Sequence, residues 1–359
     1  MAGVGAGDPA RPGALRRRHA LKRYGVAIQG AGWVSDEHIR AYINNPHTFV
    51  AAIGSRTQEG ARAKAQKWGL SCPVYDDLED MLADPQVDIV SVCTPNDRHP
   101  HDTILAAQAG KHILIEKPPA IDLEGLRAMR DAVRRAGVKT LVGFVLRWNP
   151  LLRIIGNLTQ DGTLGRIVLA QLDYWHHITR EEGLPMYHWL VTREKAGSIF
   201  LAGGSHAVDA ARWLIGDEVV EVQAYATSPR GDYTYAPTTV ALLRFAGGTI
   251  AKVSACVEAY MPYVFNIDLL GENGSIRGNR LYARKLPGQT GWATIPTIQP
   301  DSGDVSRHQF QQEIDHFVEC VINDVESPLN LEDGAKTTQV CLAADLSAAE
   351  GRPVRLPLL

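Results

Sequence analysis

What the chain lacks narrows it first. Its 359 residues contain no run of eighteen apolar positions, so no membrane-spanning helix and no membrane partner are expected. Net charge is only -3, and residues 1–23 hold six Lys/Arg against Asp8, so the rest is more acidic still. That excludes the basic surface nucleic acid requires. Five cysteines (Cys72, Cys93, Cys256, Cys320 and Cys341) form no Cys-x-x-Cys pair, which reads as buried thiols in a reducing compartment, the cytoplasm. No Cys/His/carboxylate set has zinc-like spacing, and His176-His177 would point to opposite faces of a strand, so no metal is expected. Residues 1–23 have neither the apolar core of a secretory signal nor the serines of an organelle leader, and read as a disordered extension. The remainder, in a chain 45% hydrophobic and 21% charged, is long enough for two domains with ordinary cores.

What is present begins at Tyr24. Tyr24–Gln29 reads as a strand that runs into Gly30-Ala31-Gly32-Trp33-Val34-Ser35 and then a helix to about Tyr42. This is G-x-G-x-x-G with Ser35 at the third glycine. The first glycine turns the chain, the second admits a pyrophosphate to the helix N-terminus, and a small third residue keeps helix on strand. A second strand over 50–54 ends at Ser55 and Arg56, where an acidic residue would otherwise grip a ribose 2′-OH. A hydroxyl and a guanidinium suit a 2′-phosphate, so the loop favours NADP, with NAD left open.

Helices and strands keep alternating, with strands predicted at 87–92, 112–116 and 140–145 and helices at 58–68, 78–82, 101–109 and 123–136. Such alternation implies a parallel, doubly wound α/β sheet whose ligands bind at the strands' carboxyl ends. Trp33, Val34, Thr94, Pro95, Asn96 and His99 then face the cofactor by position. The run Ile113-Leu114-Ile115-Glu116-Lys117-Pro118-Pro119 must end as a strand at its prolines, which aims Lys117 into the same crevice.

After Asn149-Pro150 the texture changes. A helix over 151–161 precedes longer strands at Ile167–Trp175, Val219–Ala226, Thr238–Phe245, 249–255 and 265–270, with few crossover helices. That pattern suggests an open, mainly antiparallel sheet. Helices at 206–215 and 308–323 are expected to cover one face, with a last helix over 334–349. The chain therefore divides into 24–148, binding dinucleotide, and 149–359, binding substrate and making the assembly contacts, with the last residues able to pack back.

Taken in order, these motifs resemble the Gfo/Idh/MocA oxidoreductases, the relatives of glucose–fructose oxidoreductase and inositol dehydrogenase. The pieces are Gly30-x-Gly32, Thr94-Pro95-Asn96 with His99, Glu116-Lys117-Pro118, Arg147-Trp148-Asn149-Pro150, Gly162-x-x-Gly165, His206-x-x-Asp209, Gly271-x-x-Gly274, Glu313 with Phe317, and Gly351-Arg352-Pro353-Val354. The resemblance implies an N-terminal Rossmann domain for NAD(P) and a C-terminal α+β domain whose open sheet is buried in a homodimer or homotetramer. It implies Lys117 as the group that hydrogen-bonds the reacting hydroxyl, His206 as acid/base, and a cis bond before Pro118. In one place the chain departs from the pattern: Ala202 stands where inositol dehydrogenase types carry aspartate.

The chemistry expected is hydride transfer between nicotinamide and a secondary hydroxyl or ketone of a sugar, sugar derivative or cyclitol. An imidazole suits the proton and a fixed ammonium suits the developing oxyanion. Asp209, one turn after His206, is placed to hold substrate hydroxyls. Arg147 and Trp148, after a strand end, could meet nicotinamide or substrate, or equally pack between the domains, while Tyr187 and Trp189 offer a substrate-edge aromatic face for a sugar ring. Two rival readings remain: a relative that uses transient oxidation to cleave a glycosidic bond, and a silent nucleotide sensor, which Ala202 keeps open.

Overall fold

A computed structural model describes residues 22–359; the expected N-terminal extension lies, but for its last two residues, outside the described residues. Six parallel strands form the first sheet: β1 (Tyr24–Gln29), β2 (Thr48–Gly54), β3 (Val74–Tyr75), β4 (Ile89–Val92), β5 (His112–Ile115) and β6 (Thr140–Val142), in the order β3-β2-β1-β4-β5-β6. The order reverses between β1 and β4, and there the carboxyl ends of two strands diverge to leave a crevice. Their apolar runs are continuous because helices cover both faces: Val26, Ile28, Val90, Val92, Ile113 and Ile115 are all fully buried. Leu123–Ala136 shows how the sequence frames such a helix. Asp122 accepts the Gly125 N–H at its start, and Gly137 ends it in the left-handed conformation.

The second sheet has nine strands: β7 (Ile167–Trp175), β8 (Val219–Ala226), β9 (Thr238–Phe245), β10 (Ile250–Cys256), β11 (Val264–Gly271), β12 (Gly274–Arg277), β13 (Arg280–Ala283), β14 (Ala293–Thr294) and β15 (Val354–Arg355). They run in the order β14-β13-β12-β11-β7-β10-β9-β8-β15. Only β7 and β10 pair in parallel; every other neighbouring pair is antiparallel. β9 alternates cleanly, with Ala241, Leu243 and Phe245 buried and Val240 and Leu242 exposed. Helices Ser205–Ile215 and Leu331–Glu350 cover the buried face, where Val208, Ala211, Val340 and Ala344 join its core. On the opposite face Leu169, Leu242 and Ile250 are exposed, and among the described residues no helix joins them.

The structure differs from expectation in one packing relation. Phe310–Ile322 does not cover the second sheet; Ile314, Phe317, Val318 and Val321 pack against Ile39 and Tyr42 on the first body. Its apolar stripe is visible in the sequence, but a stripe does not say which body it faces. Leu331–Glu350 takes the expected place and is tied to β8 where the Ala224 N–H donates to Ser347 Oγ at 3.0 Å. The strand expected over 140–145 stops at Val142 because Val145–Trp148 is a 3₁₀ turn. Among the described residues no helix is long and apolar enough to cross a membrane.

Candidate active site

A cleft of about 1250 Å³ runs from the turn after β1 to the N-terminal end of helix Ser205–Ile215. Gly30, Gly32, Trp33, Val34, Ser55, Arg56, Thr94, Pro95, Asn96, His99, Glu116, Lys117, Trp189 and His206 all line it. Arg147, Trp148, Tyr187 and Asp209 do not. Arg147 donates two hydrogen bonds to Asp209, at 2.8 and 2.7 Å, and a third to Asp333 at 2.7 Å. This pairing occupies both oxygens of Asp209, which is only 2% exposed, and directs both side chains away from the cleft. Trp148 packs on the His316 ring, and the Tyr187 hydroxyl donates to Asp232.

At one end, the backbone fits a dinucleotide. Gly30 holds φ at +111°, where a Cβ would lie 2.6 Å from the Cys93 carbonyl oxygen, so only glycine turns the chain here. At Gly32 a Cβ would meet nothing nearer than Cys93 O at 3.9 Å; it would fill open cleft, the space a pyrophosphate needs beside the helix that begins at Ser35. Ser55 and Arg56 line the far end of this half, together with Asp76, Asp77 and Glu79.

Loops at the strand ends are braced against one another. Both ring nitrogens of His99 face backbone carbonyls, Pro118 O at 2.7 Å and Thr94 O at 2.8 Å, so the ring joins the Thr94-Pro95-Asn96 loop to the turn after Lys117. The Lys117–Pro118 bond is cis. Thr94 Oγ1 donates to Asp102, and Asn96 Nδ2 donates to the Ala196 carbonyl across the cleft.

At the other end stand the titratable groups. Lys117 Nζ donates to the Ala202 carbonyl oxygen at 2.9 Å, so the backbone at 202 receives the ammonium although no carboxylate stands there. Burial lowers the Lys117 pKa below its ordinary value, and the Glu116 carboxylate opposes that shift. His206, one turn past Ala202, is stacked on Tyr174 with ring centroids 6.3 Å apart and has Phe144 at its edge. Burial, then the charge of Lys117, then His308, hold its pKa well below the usual imidazole value. It is therefore a neutral ring, able to accept a proton, whose buried Nδ1 has no hydrogen-bond partner among the described residues.

Sequence reasoning missed a second tier of wall residues: Tyr174, His176, Tyr263 and His308 all line this end. Burial pushes the His176 pKa down to about 4, so it too is uncharged near neutrality. Tyr174 and His176 do carry a signal, since they alternate on a strand end, whereas Tyr263 and His308 reach the cleft from loops that no periodicity marks.

Both bodies of the chain match known proteins. Residues 24–144 match the model described as "Oxidoreductase family, NAD-binding Rossmann fold", and residues 153–277 match the "GFO/IDH/MocA C-terminal domain". The chain is 29% identical to D-apiose dehydrogenase of Paraburkholderia graminis, over 94% of this chain and 91% of that protein. It is 26% identical to scyllo-inositol 2-dehydrogenase (NAD(+)) of Bacillus subtilis, over 92% and 95%. A solved levoglucosan dehydrogenase in complex with NADH and levoglucosan superposes with a TM-score of 0.84 at 24% identity, over 94% of this chain and all of that one, a likeness of fold.

Proposed function

Because the chain belongs to the Gfo/Idh/MocA oxidoreductase family, we propose that it transfers hydride between a nicotinamide dinucleotide and a secondary hydroxyl or ketone of a sugar, sugar derivative or cyclitol. The observation that carries this reading is the cleft's polarity: an open glycine loop at one end, a fixed ammonium and a neutral histidine together at the other. Written as an oxidation, the secondary alcohol loses a hydride from carbon and a proton from oxygen, giving the ketone, reduced cofactor and one proton. The nicotinamide supplies the hydride acceptor when bound. Lys117 holds the reacting oxygen and stabilises negative charge as it develops there. His206 takes the hydroxyl proton. Ala202 does not unmoor the lysine, since its carbonyl accepts from Nζ.

Ser55 and Arg56 offer a 2′-phosphate a hydroxyl and a guanidinium, and the NADP preference rests on them; Asp76, Asp77 and Glu79 at the same end oppose it. Trp189 gives the substrate end an aromatic wall suited to a sugar ring. Residues 24–148 are taken as the nucleotide-binding unit and 149–359 as the substrate and assembly unit, from which Phe310–Ile322 returns to the first body. The exposed sheet face supports a homodimer or homotetramer, and five free thiols suit the cytoplasm.

The first test is a fluorescence titration with NADPH and NADH of the unaltered protein, Arg56→Ala and Lys117→Met. Tight NADPH binding weakened selectively by Arg56→Ala supports the NADP preference, and NADH binding that is equal or tighter and indifferent to Arg56→Ala removes it. Lys117→Met is expected to keep nucleotide binding and lose turnover of a responsive polyol by at least about 100-fold. Full turnover in that variant overturns the mechanism.

A further inference from the structure

The ammonium of Lys117 is half-buried, its hydrogen-bond partner is a neutral carbonyl, and no side-chain carboxylate stands at 202. The anion beside it is Glu116. Glu116 is itself buried, and its Oε2 accepts the Lys117 backbone N–H at 3.2 Å. Its Oε1 lies 3.0 Å from Nε2 of His38, a fully buried ring on helix Ser35–Asn44. The other ring nitrogen of His38 lies 2.7 Å from Ser91 Oγ on β4, and Phe310 packs on the ring with centroids 5.2 Å apart.

A carboxylate this dry ordinarily takes up a proton. Burial does push Glu116 that way, but the His38 hydrogen bond and charge, followed by the charge of Lys117, hold it below the usual carboxylate range. Burial likewise works against charge on His38, and the Cys93 sulfur and Glu116 outweigh it, so the ring stays protonated well above its ordinary pKa. Each nitrogen then donates, one to Ser91 and one to Glu116.

We propose that His38 is a positioning residue: fixed between Ser91 and Glu116, its imidazolium keeps Glu116 ionised, and Glu116 keeps the Lys117 ammonium charged where no carboxylate at 202 can do so. The proposal rests on the reading of Lys117 as the group that polarises the substrate oxygen. The neighbours are consistent with it. Lys117 is faced by Glu116, by His206 on helix Ser205–Ile215, by His176 beyond β7 and by His308 before Phe310, and burial keeps these three histidines below their ordinary pKa. His38 is faced by Cys93 and Glu116, by Glu37 on its own helix and by Glu313 on Phe310–Ile322. Glu313 is fully buried, and among the described residues neither of its carboxyl oxygens has a hydrogen-bond partner. Burial, reinforced by the charge of Glu116, holds it well above the usual carboxylate range, so it is a neutral acid and no rival anion.

The readout is the titration midpoint of Lys117 in nucleotide-free protein, followed by NMR after reductive ¹³C-methylation of lysines, with Lys117→Arg identifying the resonance. In His38→Asn the proton returns to Glu116, and the Lys117 midpoint is expected to fall by about one pH unit, a tenfold smaller charged fraction above it. Ser91→Ala, a milder change, shifts it the same way by less and serves if His38→Asn does not fold. Adding Ala202→Asp to either variant brings the midpoint back, which a merely structural lesion would not allow. Removal of a simple nearby cation would raise the midpoint, so a raised or unchanged value in the folded variants overturns the proposal. Glu313→Gln leaves the midpoint in place; a shift there would make Glu313 the counterion and overturn the assignment to Glu116. The titration needs neither substrate nor cofactor, so its outcome stands apart from whether Lys117→Met loses turnover.

Discussion

An imidazole taken out of water next to an ammonium gives up its proton more readily, and His206 meets both conditions. Its folded pKa lies well below 6.5, so the ring is a competent base at neutrality and stays so into the acidic range. The acid limb of kcat/KM for alcohol oxidation is therefore expected well below pH 6.5, measured as a pH profile between 4.5 and 9 on the best polyol of a panel. A limb at or above 6.5 would remove His206 as the base. His206→Asn is expected to lower kcat by about 10²–10⁴ with nucleotide binding retained. His99 acts differently: its two nitrogens are spent on backbone carbonyls, so its part is to hold two loops in register rather than to touch the reacting atoms.

At the scale of elements, the second sheet presents one covered and one uncovered face. The register sets Leu270, Leu169 and Ile250 side by side across β11, β7 and β10, with Lys252 and Leu242 paired one step on. Leu169, Leu242, Ile250 and Tyr225 are exposed at 44%, 50%, 47% and 76%, a contiguous apolar surface of the kind that marks an interface. The same face holds Asp173, fully buried and receiving hydrogen bonds from Lys252 and Ser254, so it is not simply greasy. Paired substitutions Leu242→Glu and Ile250→Glu are expected to lower the sedimenting mass to that of a folded monomer. If the unaltered protein already sediments as a monomer, the assembly reading fails.

Across the whole molecule, the joint between the two bodies combines the apolar packing of Phe310–Ile322 on the first body with a buried charge cluster. Arg147 comes from the turn after the first sheet, Asp209 from helix Ser205–Ile215, and Asp333 from Leu331–Glu350, where Arg212 also donates at 3.0 Å. Burial opposes the charge of Arg147, but Asp209 and then Asp333 more than restore it. Removing one carboxylate leaves that guanidinium undercompensated, so Asp209→Ala is expected to cost about 3 kcal/mol, read as a lowered Tm by calorimetry. Replacing Arg147 and Asp209 together by Met and Leu should recover most of the loss, because the desolvated charge is then gone too. Arg147 thus takes the packing role that its place after a strand end left open, and its pairing with Asp209, sixty-two positions away, carries no spacing signal that reveals it.

Local events are legible in the residues alone: which runs become strands, where glycine or proline must turn them, and that the residues closing those runs gather at one edge of a parallel sheet. Gly30, Thr94, Asn96, His99, Glu116 and Lys117 share one cleft for that reason, since strand polarity alone brings them to the same edge. What lies between elements came from folding. It sent Phe310–Ile322 to the first body, turned Asp209 to Arg147, let a backbone carbonyl receive Lys117, and set His38 behind Glu116. Periodicity encodes which side of a helix is apolar but not its partner, and an ionised group inside a protein takes its character from the neighbours that folding assigns it.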